Sequence, residues 1–230
     1  MKLRTTIARV SAAAMIFALP WFLALTSLLP LISPAFLRLQ YARPDVPPSS
    51  IFTPEERQTV AEAAAHYLIS GEGIDYLANI TGADGTPLFN DRELTHMVDV
   101  KILLGKAIKL DLGLALVLAV SLAILLVQEE TRHRMPFYLV VGALVAPTLA
   151  VAAMIVVPLQ FGWFFVEFHH LFFAGESWLF PRSDTLIQLF PEQFWFDALQ
   201  AWLFLIVAGS VALAVGAYAW MRRKRRTTTS

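Results

Sequence analysis

The chain has 230 residues, of which 57 % are apolar and 16 % charged, with a mean hydropathy of +0.60, no cysteine, and 18 basic side chains balanced by 18 acidic ones. Soluble domains carry roughly a quarter charged residues, so the deficit must sit in segments that avoid water, which excludes an ordinary soluble domain and equally a disordered or fibrous chain. The lack of cysteine excludes disulfide frameworks, thiolate nucleophiles, Cys-ligated zinc and iron–sulfur clusters.

Residues 10–37 form the first run without a charge, longer than the roughly 20 residues a helix needs to cross hydrocarbon. A membrane span over 10–33 is expected here, read as an uncleaved signal anchor because the apolar run is too long for a signal peptide and has no small-residue cleavage site. Pro44, Pro47 and Pro48 then make an extended linker. Thr53-Pro54-Glu55-Glu56 supplies a capping Thr, a proline at the first helical position and Glu at the third, which predicts a helix to about Ser70, ended by Gly71. Its apolar positions Val60, Ala64, Tyr67 and Leu68 keep helical spacing, so it should lie against the membrane or the second outer segment. Gly82, Asp84, Gly85 and Pro87 form a turn-rich link.

A second capping box, Asn90-Asp91-Arg92-Glu93, starts the next helix, with Phe89 and Leu94 as a hydrophobic staple across it. Glu93, His96 and Asp99 follow at spacings of three and share a face, whereas Lys101 points elsewhere and should seek an acid from the other loop. The uncharged run 112–127 is only 16 residues, so the second span, 104–127, must recruit the preceding turn, with Lys106, Lys109 and Asp111 near the interface. The uncharged runs 135–166 and 198–221 give spans over 136–159 and 197–221, and Pro20 and Pro147 should only kink their helices. Backbone in lipid must satisfy its own hydrogen bonds, and no barrel-like alternation is present. The expectation is an all-α membrane protein: a single integral membrane domain over 1–230, with four transmembrane helices and a small extracellular cap formed by outer segments 38–103 and 167–196.

Orientation follows from the basic residues. Lys2, Arg4, Arg9, Arg132, Arg134 and the run Arg222 to Arg226 stand against only Glu129 and Glu130, leaving +8 on that side and −8 on the other. The side with the termini should be cytoplasmic. The basic tail reads as a topology signal and an anchor on anionic membrane lipid, not as a nucleic-acid site.

Four of the five histidines, His66, His96, His169 and His170, fall on the outer side, and His169 and His170 stand just beyond the aromatic end of span three. Imidazole titrates near neutral pH, so histidines at that boundary can take and return protons on a lipid headgroup; the plainer reading is a polar tip at the interface. Glu93 can serve its cap alone, and Asp99 and Lys101 a solvated helix face. From Phe168 to Phe196 the segment carries nine aromatics, among them Phe172, Phe173, Trp178 and Phe180. That density suits either an interfacial belt or a dry pocket for an acyl ester. Gly175-Glu176-Ser177-Trp178-Leu179 lacks the closing glycine of a hydrolase elbow, so Ser177 is a weak nucleophile, and no phosphate-binding glycine loop occurs.

With Glu93-Leu94-Thr95-His96-Met97-Val98-Asp99-Val100-Lys101 in the first outer segment, and Phe168-His169-His170-Leu171-Phe172-Phe173 followed by Trp178-Leu179-Phe180 in the second, the chain resembles the bacterial lipoprotein intramolecular transacylase family over nearly its whole length. The resemblance implies four transmembrane helices under an extracellular cap in the bacterial cell membrane. It also implies two catalytic histidines, His96 and His169; His169 is chosen over His170 because in the family a histidine directly follows the first phenylalanine. Glu93, Asp99, Lys101, His170, Phe172, Phe173, Trp178 and Asp184 would support or bind substrate. After Phe180 the chain departs from the family pattern, Pro181-Arg182-Ser183-Asp184 being one residue short of the Asp-Pro pair expected there.

The reaction so implied moves an acyl chain from the second glyceryl oxygen of a diacylated lipoprotein to the amine of its own N-terminal cysteine, giving the lyso form, with no cofactor and no metal. Two other readings carry different expectations. A zinc-dependent membrane hydrolase would gather His96, Asp99 and a histidine of the second segment as ligands, and a non-enzymatic membrane protein would bind lipid or a partner while its histidines merely pack. On a straight helix His96 stands about 24 Å above Leu112 at 1.5 Å per residue. Either the membrane begins nearer Val98, or the helix bends around Gly105.

Overall fold

The structure of the protein, a computed structural model, describes residues 2–227, without the side chains of residues 2, 129, 130 and 223–227. Lys2, Glu129, Glu130 and the basic tail beyond Arg222, which enter the charge-based orientation, therefore lie outside the described side chains. Four helical segments are long and apolar enough to cross a membrane, Leu3–Ile32, Asp91–Val127, Met135–Phe172 and Glu192–Arg222. An isolated bridge between Thr81 and Pro87 is the nearest approach to a strand among the described residues. The chain divides into two compact units, one of Met1–Leu28, Ile108–Ile155 and Trp202–Ser230, the other of Leu29–Ala107 and Val156–Ala201.

The first unit draws on helix α1, Lys2–Thr26, and on α7, Met135–Val156, together with the later parts of α5, Asp91–Val127, and α10, Glu192–Thr227; the short α6 spans Glu129–Arg132. Ala8, Ala12 and Met15 make a buried stripe on α1 that meets Leu125 and Met135. The opposite faces carry large apolar side chains in the open, such as Phe17 at 72 %, Leu116 at 65 % and Leu149 at 67 % exposure. In water such a surface would aggregate; in lipid it is the solvated face, and helices associate through close packing of small residues instead.

Gly142, Ala146 and Ala150 provide that on α7, buried at every fourth position. A Cβ on Gly142 would come within 3.1 Å of Leu19 Cδ2 and 3.3 Å of the Ile16 Cα, so α1 and α7 pack with no room for a methyl group. Gly142→Ala should therefore cost about 1–2 kcal/mol by overpacking, seen as a lower thermal midpoint in detergent, whereas Gly216→Ala, which meets nothing within 4 Å, should be neutral or mildly stabilising. Two polar ties complete this unit: Trp202 Nε1 donates to the Ala24 carbonyl at 2.8 Å, and Thr26 Oγ1 donates to Asp111 Oδ2 at 2.9 Å.

The second unit holds α2, Pro34–Tyr41, α3, Pro54–Ile69, α4, Asp75–Ala78, the start of α5, α8, Phe161–Phe172, α9, Thr185–Leu189, and the start of α10. Helix α3 starts as expected, with Thr53 accepting from the Glu56 amide and the Glu56 carboxylate from the Thr53 amide. Its buried face, Val60, Ala61, Ala64, Ala65 and Tyr67, joins Phe36 and Leu37 of α2, Leu186 and Leu189 of α9, and Phe194 in one core. Of the two surfaces open to α3 from its pattern, the structure thus supplies the second aromatic-rich segment.

Helix α2 differs from the sequence expectation, which ran directly from the first span to an extended linker. Ser33 accepts from the Phe36 amide and Pro34 opens the helix, a start signal that the surrounding uncharged run conceals. At the third span the chain passes through a 3-10 turn, Val157–Gln160, where Pro158 has no N–H to continue the ladder, and then resumes as α8. The segment expected to begin an outer loop at residue 167 therefore begins inside a helix. Arg57, only 6 % exposed, binds these pieces together: it donates to the carbonyls of Pro47 and Leu189 and lies 4.5 Å over the Tyr41 ring. Tyr41 donates to the same Leu189 carbonyl at 2.8 Å, and burial pushes its phenol well above the ordinary value, so it remains a donor.

Candidate active site: two imidazoles in an aromatic box

The second capping box sets the position of His96. The Asn90 side chain accepts from the Glu93 amide at 3.0 Å, and Glu93 Oε2 accepts from the Asn90 amide at 2.9 Å. Glu93 does more than cap. Its Oε1 accepts from the Leu186 amide at 2.7 Å, and the residue is 1 % exposed, so the carboxylate ties the first turn of α5 to α9. Phe89 and Leu94, the expected staple, both pack into the core beside it. From this fixed start α5 runs unbroken through Gly105 to Val127.

His96 lies one turn after Glu93, and it meets His169 of α8 with ring centroids 6.3 Å apart and planes 24° apart. The ring of His169 is held by Phe165 at 4.2 Å, Trp178 at 4.6 Å and Phe173 at 5.6 Å. That of His96 is held by Phe173 at 4.9 Å and Phe180 at 5.4 Å. Phe161, Phe165 and His169 recur every four residues, so one face of α8 aligns them. His169 Nδ1 stands 2.7 Å from the Phe165 carbonyl. A carbonyl only accepts, so Nδ1 carries the hydrogen, and Nε2 of the neutral ring keeps its lone pair. His96 Nδ1 is buried without a hydrogen-bond partner. Among the described residues no carboxylate bonds to either imidazole.

The other expected site residues separate into two groups. Phe173 and Trp178 are in the box, both buried. His170 is exposed and its ring packs on Trp178 at 5.6 Å, so of the neighbouring histidines it is His169 that the helix turns toward His96. Phe172 is 46 % exposed and packs on Phe168 outside the pair. Asp184 accepts from Asn90 Nδ2 at 3.2 Å and pairs with Arg92 at 3.4 Å, which makes it a docking residue between the two segments. The Asp99 side chain makes no hydrogen bond or ion pair with the described residues. Lys101 corrects the expectation of an acid partner: it donates to the Glu72 carbonyl at 2.6 Å and lies 4.1 Å over the Tyr67 ring, both from its own part of the chain. The cause is proximity, since the turn after α3 brings a free carbonyl and a ring face to the ammonium. Among the described residues no three His, Cys, Asp or Glu side chains gather to hold a metal ion.

Phe165, Phe180 and Arg92 contribute to the site although none of them was among the expected site residues. Phe165 follows from counting one turn back from His169, whereas the placement of Phe180 and Arg92 depends on how the irregular segment 173–184 folds back. The two half-buried histidines, the aromatic rings packed around them and a free imidazole nitrogen suit proton transfer on an apolar ester.

Residues 12–195 match the family described as lipoprotein intramolecular transacylase Lit. A protein of Aquifex aeolicus, described as uncharacterized, is 27 % identical over 166 residues, covering 72 % of this chain and 73 % of that one. Among solved structures, the membrane integral lipoprotein intramolecular transacylase Lit from Bacillus cereus superposes with a TM-score of 0.76 at 21 % identity, covering 97 % of this chain and 99 % of that one. A variant of the same Bacillus cereus protein, in which a histidine is replaced by alanine, gives a TM-score of 0.69 at 20 % identity, with 98 % of each chain covered. The fold is that of an integral membrane protein, and the match over most of its length places this chain in the lipoprotein intramolecular transacylase family.

Proposed function

We propose that this protein transfers an acyl chain within a diacylated lipoprotein, from the second glyceryl oxygen to the amine of the N-terminal cysteine, with His96 and His169 as the catalytic pair. The observation that carries the reading is their convergence, 6.3 Å between centroids inside a box of aromatic rings. Nucleophile and ester both belong to the substrate, which agrees with a chain that has neither cysteine nor a serine elbow.

The hydrogen-bond partners of the two rings suggest a division of labour. The substrate amine attacks the ester carbonyl, a C–N bond forms, and the proton lost from nitrogen passes to the lone pair on His169 Nε2. A buried N–H without an acceptor is the rarer vacancy, so the unpartnered Nδ1 of His96 is the bare nitrogen and its Nε2–H is free to stabilise the tetrahedral oxyanion. The C–O bond to glycerol then breaks, and His169 returns its proton to the departing oxygen. Holding distant parts of one flexible lipid in contact can account for up to about 7–11 kcal/mol of the barrier. The charge asymmetry of the connecting segments supports termini in the cytoplasm and a site on the outer face of the bacterial cell membrane.

The shift leaves the lipoprotein mass unchanged, so tandem mass spectrometry of lipoprotein N-termini, from cells with and without this protein, is the decisive experiment. Expression should move one acyl group from the glyceryl fragment to the N-terminal amide. Identical fragment patterns in the two strains would overturn the proposal.

A further inference from the structure

The two imidazoles are held in different ways. His169 is fixed by its hydrogen bond to the Phe165 carbonyl, and Phe173 beside it is placed by the same helix, its amide donating to the His169 carbonyl at 2.8 Å. His96 has no such anchor at Nδ1, and the rings of Phe173, Phe180 and His169 pack against its imidazole. One of those contacts is Phe180, at 65° to the His96 ring, on a segment without helical structure between Gly175, whose φ is +64°, and α9.

Something other than secondary structure must hold Phe180. Arg92 lies 5.4 Å over its ring, and Arg92 in turn is pinned 3.4 Å from Asp184, whose carboxylate also accepts from Asn90. Arg92 belongs to α5, four residues before His96, so one helix carries both the imidazole and the clamp on the ring that orients it. A guanidinium over an aromatic face is an attractive contact that restricts the ring without enclosing it.

We propose that Phe180, clamped by Arg92 and Asp184, is the positioning residue that sets the plane of the His96 imidazole and thereby aims its Nε2–H. The inference rests on the reading of His96 as oxyanion donor.

The test uses the full-length protein in detergent with a synthetic diacylglyceryl lipopeptide, and follows kcat, KM, thermal stability and the carbethoxylation of His96 by diethyl pyrocarbonate, located by peptide mass spectrometry. Misaiming a donor costs rate more than binding, so Phe180→Ala should lower kcat by about ten- to a hundredfold with KM within about twofold. His96 should also react several times faster, while His169, still bonded to its carbonyl, keeps its rate. Arg92→Gln, at a side chain 47 % exposed, leaves the fold intact and should show the same signature more weakly, about three- to tenfold in kcat, with Arg92→Lys restoring most of it. Wild-type kcat and wild-type His96 reactivity in Arg92→Gln would overturn the proposal, even where Phe180→Ala fails to fold. Loss of kcat in Phe180→Ala with unchanged His96 reactivity would overturn it too. If instead His96→Ala stays fully active, the functional reading fails, and the reactivity of His96 still reports on the clamp.

Discussion

Replacing either His96 or His169 by alanine is expected to abolish conversion of a diacylated lipopeptide, with a fall in kcat of about a thousandfold, in a protein that remains folded. Proton transfer by a positioned side chain contributes about 10²–10⁴ and a single oxyanion donor about 10²–10³, so either loss alone reaches this level. The double variant should be scarcely worse than the singles, because residues that act on one transition state do not add. Stability should change little by comparison. His96 makes no hydrogen bond at Nδ1, and His169 makes one to a carbonyl, a contact worth about 1 kcal/mol net. His170→Ala is the internal control: its exposed ring touches Trp178 but not His96, and conversion should stay within about threefold of wild type. The product is an isomer of the substrate, so fragment ions and not intact mass must be followed. Full conversion by either single variant, at matched folded protein, removes that histidine from the chemistry.

Glu93→Ala should be the most destabilising single substitution in the second unit, at about 3–5 kcal/mol. The carboxylate is 1 % exposed and accepts two backbone amides, Asn90 at 2.9 Å and Leu186 at 2.7 Å. Hydrogen bonds to a charged group contribute about 1.5–3 kcal/mol each, and truncation leaves the Leu186 amide buried and unpaired and uncaps that of Asn90. For a chain of this size a loss of that order lowers the thermal midpoint by about 10 °C, measurable by differential scanning in detergent. Glu93→Gln keeps an acceptor oxygen and should recover roughly half of the loss. Catalysis should suffer in both, since His96 is one turn further along the helix that Glu93 anchors. A shift of less than about 1 kcal/mol in Glu93→Ala would mean that the two segments are joined chiefly by their apolar core, Phe89, Leu186, Leu189 and Phe194.

Glu93 shows how far local reading extends. Its capping role was legible because a box closes over four consecutive residues, and the hydrogen bonds to Asn90 are as expected. Its second oxygen goes to an amide 93 residues away, and no local pattern specifies that. Lys101 illustrates the same limit in the other direction: a cation was expected to find an acid across segments, yet a nearer carbonyl and ring were available. The start of α2 was visible at Ser33-Pro34 but masked by the uncharged run around it.

The four long apolar helices, the capped starts of α3 and α5 and the concentration of rings around His169 were determined by the sequence itself, because hydrocarbon thickness and backbone capping act over one helix or one turn. That His169 and not His170 faces His96, that Phe180 covers His96 from a segment with no regular structure, and that Arg92 and Asp184 hold it there were decided only in three dimensions. Those choices depend on the rotation of α8 and on the docking of segments about ninety residues apart, where small differences in packing among many residues outweigh any local preference.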